Sequence, residues 1–239
     1  MMKVITFFSA KGGTGKTTFN MLFASYLSYQ LGKRVMVVDL DVPEYNLTNC
    51  RERELAYLKE KELPCDPDNF YAIEAVEDTS EKNIRALAAI IRGLRNKLDY
   101  LVLDFKGSFK SGDPVLILAE ENVIDKVIMP MELDPMVIAS VKSLSRVFQD
   151  NGQDTLLFYN RVHGKENPEL YERLTEWFSK HGCKVSPHKV KGNIAMRREQ
   201  ADGAFFRSTV SFPAGAIRKQ NPGILDLFDE IIGDETGSV

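Results

Sequence analysis

The segment FFSAKGGTGKTTFN, residues 7–20, decides the fold. It joins an apolar run, Lys3 to Ser9, to a helix-like pattern from Thr17 to Leu31. Its glycines allow backbone N–H groups to turn toward phosphate oxygens, because no side chain blocks the approach. The N-terminus of the following helix adds the positive end of its dipole. A strand, a Gly-Lys-Thr loop and a helix in this order predict a phosphate-binding loop.

The loop also predicts individual contacts. Lys16 is placed to reach the β- and γ-phosphates of a nucleotide, and the Thr17 hydroxyl is placed to bind Mg²⁺. ATP and Mg²⁺ are therefore the expected cofactors. The usual pattern has glycine at position 10, where this chain has the small residue Ala10. The predicted nucleotide-binding residues of the loop are Lys11, Gly12, Gly13, Thr14, Gly15, Lys16, Thr17 and Thr18.

Strand-like and helix-like segments alternate along the chain. The predicted strands are Lys3 to Ser9, Arg34 to Leu40, Phe70 to Val76, Tyr100 to Phe105, Lys126 to Met131, Thr155 to Asn160 and Lys184 to Lys191. Most are continuous apolar runs separated by amphipathic helices, which is typical of a parallel sheet covered on both faces. We therefore predict an α/β fold: one P-loop NTPase domain with a mostly parallel twisted sheet and helices on both faces.

Composition sets outer bounds on function. The 239 residues are 44% hydrophobic and 27% charged, as in soluble globular proteins. No apolar run approaches the roughly 20 residues that span a bilayer, so we expect a cytoplasmic protein without a membrane partner. Three cysteines without C-x-x-C spacing argue against a disulfide framework or a cysteine-held metal. We expect a single domain over residues 1–239, ending in an acidic polar tail at about 233–239.

Two further strands end in carboxylates that a nucleotide site requires. Val37 to Pro43 contains Asp39 and Asp41, and Tyr100 to Asp104 is an apolar run that closes on an aspartate. Such carboxylates hold Mg²⁺ and orient the attacking water. Because ligands bind at the carboxyl ends of parallel strands, we expect these side chains to meet the phosphate loop.

The motif KGGTGKTT, residues 11–18, resembles the deviant Walker A motif of the ParA/MinD superfamily of ATPases. The resemblance implies that Lys11 reaches across a homodimer to the partner's nucleotide, so that Lys11, Lys16 and Asp41 act in hydrolysis. It implies that Asp39 and Asp104 support the metal together with Thr17. It also implies that Asn160 reads adenine, although a turn-forming asparagine is an alternative interpretation. The segment Val210 to Ala214 is a further candidate for the base.

Two features depart from or add to the family pattern. Relatives usually carry proline soon after the Walker B aspartate, whereas this chain continues Phe105, Lys106, Gly107, Ser108. The departure bears on how nucleotide state couples to partner binding. The charged stretch Arg51 to Glu54 resembles versions carried on bacterial mobile elements.

Charge is distributed unevenly along the chain. The net charge is −3, yet residues 184–219 carry eight basic and two acidic side chains, a local charge of +6. Clustered arginine and lysine bind nucleic acid without sequence preference, although a solvated basic face is the alternative. The DNA-binding candidates are Arg197, Arg198, Arg218 and Lys219.

These features favour a ParA-like partition ATPase. In that interpretation, ATP closes a dimer on non-specific DNA, so the protein is nucleoid-associated when ATP-bound. A ParB-like adaptor or another stimulating protein triggers slow hydrolysis. With no extension before the first strand, we expect no operator-binding domain.

Three other classes fit less well. A MinD-like positioning ATPase is the alternative, but the last helix, from Pro222, has no basic residue to meet anionic lipid. An iron–sulfur carrier requires paired cysteines, and a tyrosine kinase of this fold tends to end in a tyrosine cluster. The sequence has neither feature.

Overall fold

The computed structural model describes residues 1–192 and 208–233. One seven-stranded sheet runs through these residues, with strand order β3-β2-β4-β1-β5-β6-β7 and parallel pairing throughout. The predicted α/β fold with a parallel sheet is confirmed. The strands are β1 (Lys3–Phe7), β2 (Val35–Leu40), β3 (Ala72–Ala75), β4 (Tyr100–Phe105), β5 (Lys126–Met131), β6 (Asp154–Tyr159) and β7 (Lys184–Val185).

Helices connect the strands as the sequence pattern predicts, and the structure adds two details. α1 continues into a π-helical turn, Tyr26–Gln30, and α7 is a short helix that the pattern does not predict. The acidic tail beyond Gly233 lies outside the described residues. The helices are α1 (Lys16–Ser25), α2 (Asn46–Glu60), α3 (Glu81–Leu94), α4 (Pro114–Glu120), α5 (Pro135–Asp150), α6 (Pro168–Lys180), α7 (Ala214–Gln220) and α8 (Gly223–Gly233).

Local sequence explains where two of these helices begin. Asp134 precedes α5, and its side chain accepts hydrogen bonds from the N–H groups of Met136 and Val137. Asn167 caps α6 in the same way through Glu169. Each helix then has proline at its first position, where the missing N–H has no partner to lose.

The last strand is shorter than predicted. We predicted pairing from Lys184 to Lys191, but only Lys184–Val185 pairs with β6, and Lys191 forms an isolated bridge with Val162. Pro187 stands between these two contacts. Proline has no N–H to donate to a ladder, so continuous pairing stops there.

Two apolar layers enclose the sheet. One packs residues of α3, α4, α5 and α6 on one face, and the other packs residues of α1, α7 and α8 on the opposite face. In the second layer, Phe19 of α1 stacks on Phe7 of β1 at 5.5 Å between ring centroids and meets Phe158 of β6 edge-on at 4.9 Å. Such pairs add about 0.5–1.5 kcal/mol each to the burial energy. These contacts fix the start of α1 against β1 and β6.

Strand order places a crevice at β1. From this central strand, β4, β2 and β3 lie in that order on one side, and β5, β6 and β7 lie on the other. Ligands of open α/β sheets bind where the order reverses, outside the carboxyl ends of the strands. The loop after β1 lies at this point.

Candidate nucleotide site

The loop between β1 and α1 has the backbone that its glycines permit. Gly13 and Gly15 have φ angles of 76° and 99°, in the left-handed region that side chains disfavour. A Cβ on Gly15 would also lie 3.3 Å from Asn160 Nδ2 and from the ring of Phe19. Glycine is therefore required at position 15 for both conformation and space.

Lys16 is a buried cation without a full set of partners in the described chain. Its side chain opens α1, and its Nζ donates to the carbonyl of Lys11 at 3.3 Å. Burial lowers the pKa of Lys16, and the charges of Asp104 and Asp41 oppose that shift. An ammonium group held in a buried pocket by one neutral oxygen is suited to an incoming anion.

The loop after β4 lies directly over Lys16. A Cβ on Gly107 would come within 2.6 Å of Lys16 Nζ and 3.3 Å of the backbone nitrogen of Gly12. Only glycine fits this approach without a shift of the lysine. The absent proline after Asp104 is thus accompanied by a glycine that allows this loop to touch the phosphate loop.

Asp104, at the end of β4, is fully buried and half satisfied. Its Oδ1 accepts a 2.7 Å hydrogen bond from Asn20 Nδ2, whereas Oδ2 has no partner among the residues that the structure describes. Burial raises the pKa of Asp104 to about 7, and the charges of Asp39 and Asp41 add to the rise. The hydrogen bond from Asn20 and the neighbouring side chain of Thr17 lower this pKa and so act in the opposite direction. An unpaired carboxylate oxygen beside a threonine hydroxyl fits the oxygen ligands that Mg²⁺ prefers.

Asp39 and Asp41, at the end of β2, are engaged by α2. Asp39 Oδ2 accepts from the N–H and the hydroxyl of Thr48 at 3.0 and 2.7 Å. Asp41 Oδ2 accepts from Asn46 Nδ2 at 2.8 Å. Asp39 therefore serves the start of α2 in this structure, and its predicted support of the metal stays a prediction.

Lys11 extends from the loop toward α5. Its Nζ lies 3.5 Å from Asp134 Oδ2, and both side chains are about half exposed. The ion pair is long and solvated, so it holds the lysine weakly. The role of Lys11 toward a partner's nucleotide stays a prediction.

Asn160 and Arg161 hold the loop from β6. Asn160 Nδ2 donates to the carbonyl of Thr14 at 2.8 Å, and the Arg161 guanidinium donates to the carbonyl of Gly13 and to Glu132. Asn160 thus contacts the loop itself, and its predicted reading of adenine stays a prediction.

Three residues of this site were not predicted from the sequence: Asn20, Gly107 and Arg161. Asn20 had a readable signal, since it is a polar residue one helical turn after Lys16, within a stretch that includes Phe19, Leu22 and Phe23. Its side chain also bonds both backbone groups of Phe7. Gly107 and Arg161 had no comparable signal, because their contacts depend on distant parts of the chain.

Two of the four DNA-binding candidates lie in the described part of the chain. Arg218 and Lys219 are exposed in the last turn of α7. Arg197 and Arg198 lie outside the described residues. Within residues 1–192 and 208–233, no helix has the length and apolar character needed to cross a bilayer.

The central crevice, the glycine-rich loop and the strand-end carboxylates together define a P-loop protein of the ParA/MinD type. A family model described as ATPase MipZ matches residues 3–146, more than half of the sequence. The chain belongs to this ATPase family.

Individual relatives agree with that assignment. The chain is similar to the septum site-determining protein MinD of Synechocystis, with 27% identity over 47% of this chain and 48% of that protein. It is similar to the sporulation initiation inhibitor Soj of Bacillus subtilis, with 23% identity over 60% of this chain and 64% of Soj. It therefore spans about half to two thirds of the length of these curated relatives.

Solved structures show the same fold across nearly the whole chain. A chain of the MinC:MinD cell division protein complex of Aquifex aeolicus has a TM-score of 0.66 at 18% identity, covering 97% of this chain and 96% of that one. A plasmid partition protein of Borrelia burgdorferi bound to AMPPNP has a TM-score of 0.65 at 20% identity, covering 97% and 100%. At these identities the structures establish the fold alone.

Proposed function

We propose that this chain is a magnesium-dependent ATPase that acts as a dimeric switch in DNA partition, in the manner of ParA. Oδ2 of Asp104, which has no partner among the residues that the structure describes, carries the proposal, because Asp104 interacts with Lys16 and Thr17 of the phosphate loop. The bound AMPPNP of the Borrelia relative supports ATP as the nucleotide. The whole chain, residues 1–239, would act as one ATPase domain.

The proposed chemistry assigns one role to each residue of the site. Backbone N–H groups of residues 12–18 and the Lys16 ammonium bind the phosphates, and the Thr17 hydroxyl and Asp104 hold the metal. Bound Mg²⁺ supplies positive charge that offsets the charge developing on the phosphates. Asp41 orients the attacking water, because its carboxylate lies near Lys16 and is only 8% exposed. Asn160 contacts the adenine.

The deviant lysine makes the site a shared one. Lys11 is about half exposed and, within the described residues, is held by one long ion pair, so it is free to extend to the nucleotide of a second copy. Hydrolysis would be slow in the isolated dimer and accelerated by an adaptor protein.

The DNA-binding part of the proposal rests on charge. Residues 184–219 carry a local charge of +6 in a chain whose net charge is −3. Arg218 and Lys219 are exposed on α7 and are described candidates for phosphate contacts, together with Arg197 and Arg198. The likeness to plasmid partition proteins supports this role, whereas the likeness to MinD supports a positioning role without DNA.

Calorimetry and size measurements test the proposal in sequence. Wild type should bind Mg-ATP, and Lys16→Ala should abolish binding. Lys11→Ala should retain binding and lose ATP-dependent dimerisation in light scattering, with Lys33→Ala as a matched exposed-lysine control. Equal dimerisation of Lys11→Ala and wild type would remove Lys11 from the shared site.

A second experiment separates partition from positioning. ATP-bound wild type should bind duplex DNA of unrelated sequence with an affinity that falls steeply with salt, and Arg218→Glu/Lys219→Glu should weaken it. Co-sedimentation with anionic liposomes in place of DNA binding would favour the MinD-like alternative.

A further inference from the structure

Every polar atom of Thr209 forms a hydrogen bond, with residues of α2 or with residues that pack beside that helix. Its N–H donates to Glu54 Oε2 at 2.7 Å, and its hydroxyl donates to the same oxygen. Arg51 Nε donates to the Thr209 hydroxyl at 2.9 Å, and Arg51 Nη2 donates to the Thr209 carbonyl at 2.8 Å. Thr209 is fully buried. We call these three residues the α2 clamp.

The α2 clamp is joined to the elements on either side of it. Arg51 Nη1 donates to the carbonyl of Tyr71 at 3.2 Å, and the guanidinium lies 4.8 Å from the Tyr71 ring centroid. The Tyr29 hydroxyl, beyond α1, donates to the Thr209 carbonyl at 2.7 Å. A shift of α2 relative to α1 would therefore alter the hydrogen bonds at Thr209.

The burial of Glu54 costs more free energy than a purely structural contact with Thr209 needs. It is 1% exposed, and its Oε1 has no hydrogen-bond partner in residues 1–192 and 208–233. A buried carboxylate with an unsatisfied oxygen costs free energy that an apolar pair of similar size would not. The spare oxygen leaves the carboxylate able to accept a different donor when its neighbours move.

The other end of α2 is held by the nucleotide site. Asp39 bonds the N–H and hydroxyl of Thr48, and Asp41 bonds Asn46. Six residues separate Thr48 from Glu54, which corresponds to about 9 Å along a helix. Thr48 and Glu54 therefore lie on one continuous helix, which connects the two aspartates to the clamp.

The geometry points to Arg51 and Glu54 as positioning residues. They transmit to Thr209 the change that nucleotide binding makes at Asp39 and Asp41. The inference rests on the proposed function, since it requires Mg-ATP to bind near Asp41. Thr209 lies within the basic stretch 184–219, two residues after Arg207. The relay therefore links the nucleotide site to the basic segment proposed to meet DNA.

Hydrogen exchange of the full chain tests the relay. In wild type, Mg-AMPPNP should change the exchange rate of the amides of Ser208 and Thr209, which precede the candidate base segment, by about tenfold or more, as expected when a local opening free energy shifts. Glu54→Gln keeps the size of the side chain and removes its charge, and Thr209→Val removes only the hydroxyl. Both should bind Mg-AMPPNP within about threefold of wild type by calorimetry and lose the exchange response. Thr209→Ser, which keeps the hydroxyl, should retain it.

The outcomes distinguish failure of the relay from failure of the proposed function. If wild type binds Mg-AMPPNP in calorimetry while exchange of Ser208 and Thr209 stays constant, the relay is wrong and the ATPase proposal stands. An unchanged response in Glu54→Gln and Thr209→Val also overturns the relay. If wild type shows no heat of binding, the proposed function fails and the relay with it. If Glu54→Gln does not fold, Arg51→Lys serves as the test variant in its place. Lysine keeps the positive charge but lacks the planar guanidinium that donates to several acceptors.

Discussion

The carboxyl ends of β2 and β4 lie side by side and are built differently. Asp39 and Asp104 are register partners on the two strands, and each closes an apolar run. Asp39 accepts hydrogen bonds from Thr48 and from the N–H of Asp41. Asp104 keeps one oxygen without a partner in the described chain. The same local pattern, an apolar strand that closes on aspartate, thus gives a carboxylate that anchors a helix in β2. In β4 it gives a carboxylate with one oxygen that has no partner in the described chain.

The difference comes from the segment that the chain forms after each strand. After β2 the chain turns into α2, and Thr48 returns to the aspartate. After β4 the chain passes over the phosphate loop through Gly107, and no donor in the described residues returns to Oδ2 of Asp104. A strand-terminal aspartate is therefore a candidate metal ligand when the next element leads away from it.

The largest expected effect concerns pH. Burial raises the folded-state pKa of Asp104 to about 7, whereas the unfolded chain titrates near the usual value of 3.8. Between those values the folded state holds a proton that the unfolded state releases, so stability falls as pH rises, by up to about 4 kcal/mol. Urea unfolding without nucleotide or Mg²⁺, across pH 5 to 8, measures this slope.

Two variants test which of the two strand ends causes the pH dependence of stability. Asp104→Asn should flatten the slope almost completely. Asp39→Asn should reduce it only in part, because the charge of Asp39 is one of the smaller causes of the Asp104 shift. Equal slopes in wild type and Asp104→Asn would contradict the assignment of the titration to β4.

The second effect is on turnover. Asp104→Asn should lower Mg-dependent ATP hydrolysis by about 100-fold, since it removes a charged oxygen from the proposed metal site. Phosphate release at saturating ATP measures the loss, and raising the Mg²⁺ concentration should restore part of it. Asp125→Asn, at an aspartate away from the site, is the control. Wild-type turnover in Asp104→Asn would show that the open carboxylate has no metal role.

The third effect is on folding. Asp39→Asn should destabilise the chain by about 1–3 kcal/mol, because it disturbs buried hydrogen bonds at the start of α2. Chemical denaturation at one pH measures this cost, with Thr48→Val expected to share much of it. A loss for the double variant equal to the sum of the two single losses would mean that Asp39 and Thr48 act independently.

The smallest effect concerns the contact between the two regions. Lys106 Nζ lies 3.2 Å from Glu44 Oε1, and both side chains are about half exposed. Such pairs contribute less than about 1 kcal/mol, so Lys106→Met should change stability by no more than that. A larger loss in thermal unfolding, matched by Glu44→Gln, would show that the β2 and β4 ends are more tightly joined than their exposure indicates.

Local patterns predicted most of the fold and the centre of the site. Continuous apolar strands predicted a parallel sheet, and the glycine-rich loop predicted where Lys16 and Thr17 lie. Asp104 was chosen as a candidate because an apolar run that ends in aspartate can be recognised without information from elsewhere in the chain. These are the features whose physical cause lies within about ten residues.

Features with distant causes were not predicted. Arg161 contacts Gly13 from 148 positions away, and Thr209 contacts Glu54 from 155 positions away. Pro187 shortened the last strand because pairing across the sheet needs each N–H, a requirement that composition alone does not express. The bonding state of a carboxylate likewise depends on which loop returns to it.

The attachment of Asn160 and Arg161 to the phosphate loop has a consequence for synthesis. The loop leaves the ribosome before β6 does, because the side chains that brace Gly13 and Thr14 are made 146 to 148 residues later. Contacts of such long sequence separation form late and slowly. A nascent chain thus acquires a firm grip on nucleotide only after β6 has emerged, so premature termination before that point yields fragments that carry the motif without its support.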